Sequence, residues 1–204
     1  MSEKGVKVLE WTYEKALNGI PGVSESIDEL VGPYIDKYNY DIEFALKRFI
    51  RNQKLKTTTS GFLTGLGGAI TLPVTLPADF VSSLYIEVRM IAGIAKIRGY
   101  DLKDDQVKTL VYLCLIGNSI GDLLKDVGIQ VGKNVTIKKL LPKISGAMLT
   151  KINKAVGFRL LTKNGSKGII NLNKLVPVIG GFVSGGYNYF ETSAYAKIAL
   201  KMFN

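Results

Sequence analysis

The sequence predicts an all-α protein, a compact bundle of about seven to nine helices with Gly-rich apolar connections. Three observations carry that expectation. Apolar residues recur at helical spacing along much of the chain. Extended candidates are confined to residues 71–76 and 168–172, neither with an obvious pairing partner. Finally, 204 residues that are 47% hydrophobic supply enough side chain for a real core in one or two domains.

Residues 6–17 and 24–38 read as short amphipathic helices separated by Gly19-Ile20-Pro21-Gly22, a proline and two glycines that stop one and start the next. Residues 41–56 form a better helix, with Ile42, Ala45, Phe49 and Ile50 on one side and Lys47, Arg48, Arg51 and Lys54 elsewhere. The 22 residues 57–78 carry no charge, long enough to cross a bilayer as a helix. Thirteen of them are Gly, Pro, Ser or Thr, and Pro73 and Pro77 interrupt the run, so a buried or interfacial Gly-rich hairpin is expected instead.

From 78 to 98 a long helix follows, with Phe80, Leu84, Val88, Ile91 and Ala95 in phase and Gly99 as its stop. Asp101 or Asp104 caps the next helix, whose stretch 110–116 is apolar nearly all round, as expected for a central core helix rather than a surface one. Residues 135–158 read as helical, broken near Pro142, with lysines on the polar side. After a loop at 164–168, a second Gly-rich apolar run, 175–190, leads into a closing helix with Phe190, Ala194, Ile198 and Met202 four residues apart. The chain divides on this reading into an N-terminal helical extension, 1–40, and a helical domain, 41–204.

The chain has no histidine and one cysteine, Cys114, which excludes Cys/His zinc sites, Ser-His-Asp triads and histidine proton shuttles. Cys114 stands in an apolar run and reads as a small buried hydrophobe, with a reducing cytosol as the expected compartment. The mixed charges at the start are read as no secretory signal. No metal or cofactor is expected. The acidic cluster Asp101, Asp104 and Asp105 lacks the alternation and closing Glu of a calcium loop, and residues 128–134 are one residue short of a phosphate loop.

The net charge of +10 is unevenly placed. Residues 1–126 hold 15 Lys/Arg against 16 Asp/Glu, whereas residues 127–190 hold no acidic residue and ten basic ones: Lys133, Lys138, Lys139, Lys143, Lys151, Lys154, Arg159, Lys163, Lys167 and Lys174. Such a stretch repels itself unless something anionic meets it, which makes phospholipid head groups, nucleic acid or an acidic protein the partners to weigh. Nine of the ten are lysines, point charges without the planar fork that reads bases, so the residue choice argues against nucleic acid. Four glycine pairs at a spacing of four, Gly61/Gly65, Gly117/Gly121, Gly128/Gly132 and Gly181/Gly185, predict close helix packing, either in a water-soluble core or in helices that repack at a bilayer.

The stretch 61–101 and the run 174–181 resemble the EcsC protein family. The features that carry the resemblance are the cluster Gly65, Gly67 and Gly68, Pro77-x-Asp79 at a helix start, the turn Gly99-Tyr100-Asp101-Leu102, and the late Pro177, Gly180 and Gly181. The resemblance runs from about residue 40 to the end. It implies a bacterial, helical, membrane-associated protein, placed in the cytoplasm and peripheral at the inner face of the membrane. Founding members accompany an ABC transporter and influence secretion, and the family brings no agreed activity and no catalytic residue.

Asp79 is expected to cap its helix, and Tyr100-Asp101 with Asp104 to cap the next. As an acid/base pair Asp79 and Glu87 would stand about 12 Å apart along one helix, too far for a paired-carboxylate mechanism. The first expectation is therefore a non-enzymatic protein of the membrane surface. The second is a soluble module whose basic half holds an acidic protein, as a regulator or immunity-type inhibitor would. An enzyme resting on Asp79, Glu87 and Tyr100 comes third.

Overall fold

The computed structural model describes residues 2–38, 41–57, 78–129, 143–162 and 183–204. Outside them lie both extended candidates, the hairpin expected at 57–78 apart from its ends, the break near Pro142 and the loop at 164–168. The described residues form eight α-helices: α1 (Ser2–Asn18), α2 (Ile27–Lys37), α3 (Ile42–Thr57), α4 (Ala78–Ile97), α5 (Asp105–Cys114), α6 (Ile120–Asp126), α7 (Gly146–Thr162) and α8 (Val183–Met202), with a short 3-10 turn at Gly117–Ser119. Among the described residues no strand forms, and extended pairing is limited to an isolated bridge between Ile20 and Ser24.

Local chemistry sets the helix ends. Gly19 and Gly22 adopt φ of 79° and 74°, the left-handed region the reversal after α1 requires. α2 opens two residues later than Ser24, at Ser26, through a reciprocal capping box. The Ser26 amide donates to Glu29 Oε2 (2.8 Å) and the Glu29 amide to Ser26 Oγ (3.3 Å). The Ser26 hydroxyl, which donates to Glu29 Oε2 at 2.8 Å, and then the Ser26 amide hold the Glu29 carboxyl below its ordinary range. Asp41 caps α3 by accepting from the Phe44 amide at 2.8 Å. α4 ends in a Schellman turn on Gly99 (φ 83°), in which Tyr100 N donates to Ala95 O and Gly99 N to Lys96 O. Of the two aspartates offered as the next cap, Asp104 takes the role, accepting from Gln106 N at 2.7 Å, while Asp101 accepts from Lys103 N in the turn before it. α7 begins at Gly146 and runs on to Thr162, four residues past the expected end, whereas the first part of the expected helix, before residue 143, lies outside the described residues.

α5 is the core helix the sequence leads one to expect, and α4 is the element around which most of the other described helices pack. Val81, Leu84, Tyr85, Val88, Met90, Ile91, Ile94 and Ala95 are all buried, and α1, α2, α3, α5 and α8 pack around them. Ser82, Glu87 and Arg89 hide this in the sequence, where they look like a polar side. α5 is buried from Thr109 to Cys114. On α3, Ala45, Leu46, Phe49 and Ile50 face the core, whereas Ile42, which spacing places with them, is 46% exposed because the covering of that face begins one turn further on.

Residues 2–38, set apart as an extension in the sequence, supply Val8, Leu9, Ala16, Ile27, Leu30 and Val31 to the same buried cluster as α4. α1 also lies on α7, and this crossing is the closest in the molecule's described part. A Cβ on Gly5 would overlap the Gly157 carbonyl, and one on Gly157 would come within 2.7 Å of the Gly5 carbonyl carbon. Gly117, Gly121 and Gly128, the members of the spacing-of-four pairs whose surroundings are described, do not do this. Gly117 (φ 59°) begins the 3-10 turn, Gly128 (φ 91°) ends α6 in a second Schellman turn, and Gly121 faces open space. Gly61, Gly65, Gly132 and Gly181 lie outside the described residues. Glycines selected for close approach are thus single residues on two distant helices, and no local spacing reveals them.

Gly157→Ala is expected to cost roughly 1–3 kcal/mol through overpacking, whereas Gly121→Ala is expected to be neutral or to gain up to about 1 kcal/mol of helix propensity. Urea unfolding followed by circular dichroism distinguishes the two. The Cys114 thiol is fully buried and its pKa is raised by burial. It should therefore resist a thiol reagent in the native state at pH 8 and react at once in denaturant.

Candidate functional site

The family-motif residues fall into two sets. Gly65, Gly67, Gly68, Pro77, Pro177, Gly180 and Gly181 lie outside the described residues. Asp79 occupies the second position of α4, and Gly99, Tyr100 and Asp101 form the turn that closes it. In that turn Gly99 supplies the left-handed residue, Tyr100 packs edge-on against Phe203 with ring centroids 5.1 Å apart, and Asp101 holds a backbone amide. Each has a structural occupation. Glu87 sits half-buried two turns beyond Asp79, about 12 Å along the axis. Among the described residues no three His, Cys, Asp or Glu side chains converge on a possible metal position.

The basic segment is likewise divided. Lys133, Lys138, Lys139, Lys163, Lys167 and Lys174 lie outside the described residues, and Lys143, Lys151, Lys154 and Arg159 lie within them. Arg159 corrects the expectation of a cation held out for an anion. Its guanidinium pairs with Asp126 Oδ2 at 2.5 Å and donates to Ser119 O at 3.0 Å, fastening α7 to α6. Lys151 donates to Val127 O at 3.1 Å, one of the carbonyls left over at the end of α6. Asp126 and Ser119 precede the acid-free stretch and Val127 begins it, so the fold brings carboxylate and carbonyl to cations that look isolated in sequence. Lys143 and Lys154 are exposed.

A buried polar cluster also escapes the sequence. Arg89 is 4% exposed, with Nη2 3.1 Å from Glu25 Oε1 and Nη1 donating to the Tyr85 hydroxyl at 3.1 Å. That hydroxyl lies 2.6 Å from Ser24 Oγ, which accepts from Ile20 N at 3.1 Å. The groups satisfy one another and tie the α1–α2 reversal to α4, which makes the cluster a structural tie.

Among the described residues α3 carries three of the four exposed large apolar side chains together with exposed cations; the fourth, Phe158, lies on α7 near Lys154. Ile42, Phe44 and Leu55 are 46%, 39% and 54% exposed, and Lys47, Arg48 and Arg51 are exposed among them. Phe44 packs edge-on against Tyr38 with centroids 5.0 Å apart, Arg48 lies 5.3 Å from the Phe44 ring and Lys37 5.7 Å from the Tyr38 ring. The cations thus stand over aromatic faces at a solvent boundary. Arg98 pairs with Glu43 at 2.6 Å, balancing the first carboxylate of α3. Along α3, Lys47, Arg51 and Lys54 follow an i, i+4, i+7 stripe beside α8, which carries Lys197. Burial, and then the Lys197 charge, hold the Lys54 ammonium below its ordinary pKa range. The near-neutral sum over residues 1–126 concealed this stripe in sequence, because the balancing carboxylates stand elsewhere.

No described helix is long and apolar enough to cross a membrane. The EcsC protein family model matches residues 10–204, beginning well before the point from which the resemblance is traceable by eye. No curated protein and no solved structure matches the chain.

Glu25→Gln, which leaves the Arg89 guanidinium with a neutral partner, is expected to cost about 1–3 kcal/mol. Lys47→Gln and Arg51→Gln, in exposed positions, are expected to change stability by less than about 0.5 kcal/mol. Thermal denaturation of the three variants separates the structural cation from the surface ones.

Proposed function

Because the chain belongs to the EcsC protein family, we propose that it is a non-enzymatic peripheral membrane protein of the bacterial cytoplasm that docks on an anionic leaflet. The observation that supports this reading most is the outer face of α3, where exposed Phe44 and Leu55 stand among Lys47, Arg48 and Arg51. A basic helix with exposed apolar side chains suits the boundary between head groups and acyl chains. Near an anionic surface each cation contributes about 1 kcal/mol, so three of them supply on the order of a hundredfold in affinity before any apolar insertion. Exposed Lys143 and Lys154 add to the attraction. An aromatic ring beneath Arg48 keeps the cation near the ring plane's apolar body, which favours shallow burial over full hydration. An accessory role in transport or secretion follows the family's setting.

An acidic protein would meet the same cations, and the two readings part in one experiment. Co-sedimentation with phosphatidylglycerol vesicles and with phosphatidylcholine vesicles, each at low and high salt, should show binding to the anionic vesicles that partly survives high salt. Replacing Phe44 and Leu55 with serine should make the remaining binding wholly salt-sensitive. No binding to anionic vesicles at either salt overturns the membrane reading and leaves the acidic protein partner.

A further inference from the structure

Between α3 and α8 runs a groove of about 550 Å³, within the range of small-molecule sites. Its apolar lining comes from Leu46, Ile50 and Leu55 on α3 and Leu200 on α8. Lys47, Arg51 and Lys54 line it from the same helix. The lining positions 43 to 55 span about 18 Å along α3 at the ordinary helical rise, so the site is long and suits an extended chain. Glu43, at one end, is paired with Arg98 at 2.6 Å, and Lys47 and Arg51 are exposed along the groove.

We propose that this groove holds one acyl chain of an anionic phospholipid, with the head group met by Lys47, Arg51 and Lys54. The apolar lining selects a hydrocarbon chain, and the stripe of cations selects a negative head over a zwitterionic one. The choice of ligand rests on the membrane reading above, but the site is separate from surface docking: it takes one lipid molecule, and it binds that molecule without a bilayer.

The test is titration of the purified chain with monomeric lysophosphatidylglycerol below its micelle-forming concentration, followed by native mass spectrometry and calorimetry. Lysophosphatidylcholine and inorganic phosphate serve as controls for charge and for the head group alone. One-to-one binding is expected, about tenfold or more tighter for the anionic lipid, the factor that roughly one to two surface charges supply. Inorganic phosphate at millimolar concentration should not compete.

Leu200→Trp and Leu55→Trp fill the groove from opposite helices, and the exposed position of Leu55 keeps the second variant informative should the first unfold. Both should lose about tenfold or more in affinity for the monomer, a loss of roughly 1.4 kcal/mol, while Leu200→Trp, which leaves the docking face of α3 untouched, still binds phosphatidylglycerol vesicles. Equal affinity for the two lysolipids, competition by phosphate alone, or unchanged affinity in folded Leu55→Trp overturns the proposal. If vesicle binding survives that outcome, the docking reading stands without the groove. If monomer binding holds but wild-type protein ignores vesicles, the groove stands and the docking reading falls.

Discussion

Helix α4 has almost no solvent-facing side for most of its length, and an apolar cylinder in water is stable only if other helices cover it all round. That requirement fixes the architecture. α1, α2, α3, α5 and α8 are arranged around it, and α7 and α6 attach to the outside of that arrangement through α1 and α5. Among the described residues Arg89 is the one charged side chain in the core, and its cost is offset by Glu25 and Tyr85. Because Glu25 stands just before α2, satisfying that guanidinium also fixes where the α1–α2 reversal sits on α4. A single buried cation thereby sets the register of three helices.

The second constraint is the meeting of Gly5 and Gly157. Backbones that approach so closely make many dispersion contacts per residue, and the missing side chains are the condition for it. The contact joins the first helix of the chain to a helix near position 150, so the N-terminal segment is built into the core from which the sequence reading separated it. Phe49 against Gly93 repeats the device between α3 and α4, with a ring instead of a backbone filling the space.

Charge follows a different logic. Where the chain shows ten cations and no carboxylate, the described ones are partly occupied within the fold: Arg159 by Asp126 and Lys151 by the end of α6. Where the chain shows near neutrality, α3 gathers Lys47, Arg48, Arg51 and Lys54 on its outer side next to Lys197 of α8. Sums over a stretch of sequence measure what lies nearby along the chain, whereas an anion responds to what lies nearby in space.

The helical class, the positions of most helices and the chemistry of their ends were legible in the sequence, because periodicity, capping side chains and glycines at left-handed positions act over three or four residues. Gly19, Gly99, Asp104 and the buried Cys114 each do what local pattern implies. The family features Gly99, Tyr100 and Asp101 were legible for the same reason, since they build one turn. Tertiary structure alone decided that α4 is the centre, that Gly5 faces Gly157, that Arg89 meets Glu25 and that α3 pairs with α8 to enclose an apolar groove under a row of cations. These join residues dozens to more than a hundred positions apart, and contacts of that kind depend on how whole helices pack, which no spacing within a single helix encodes.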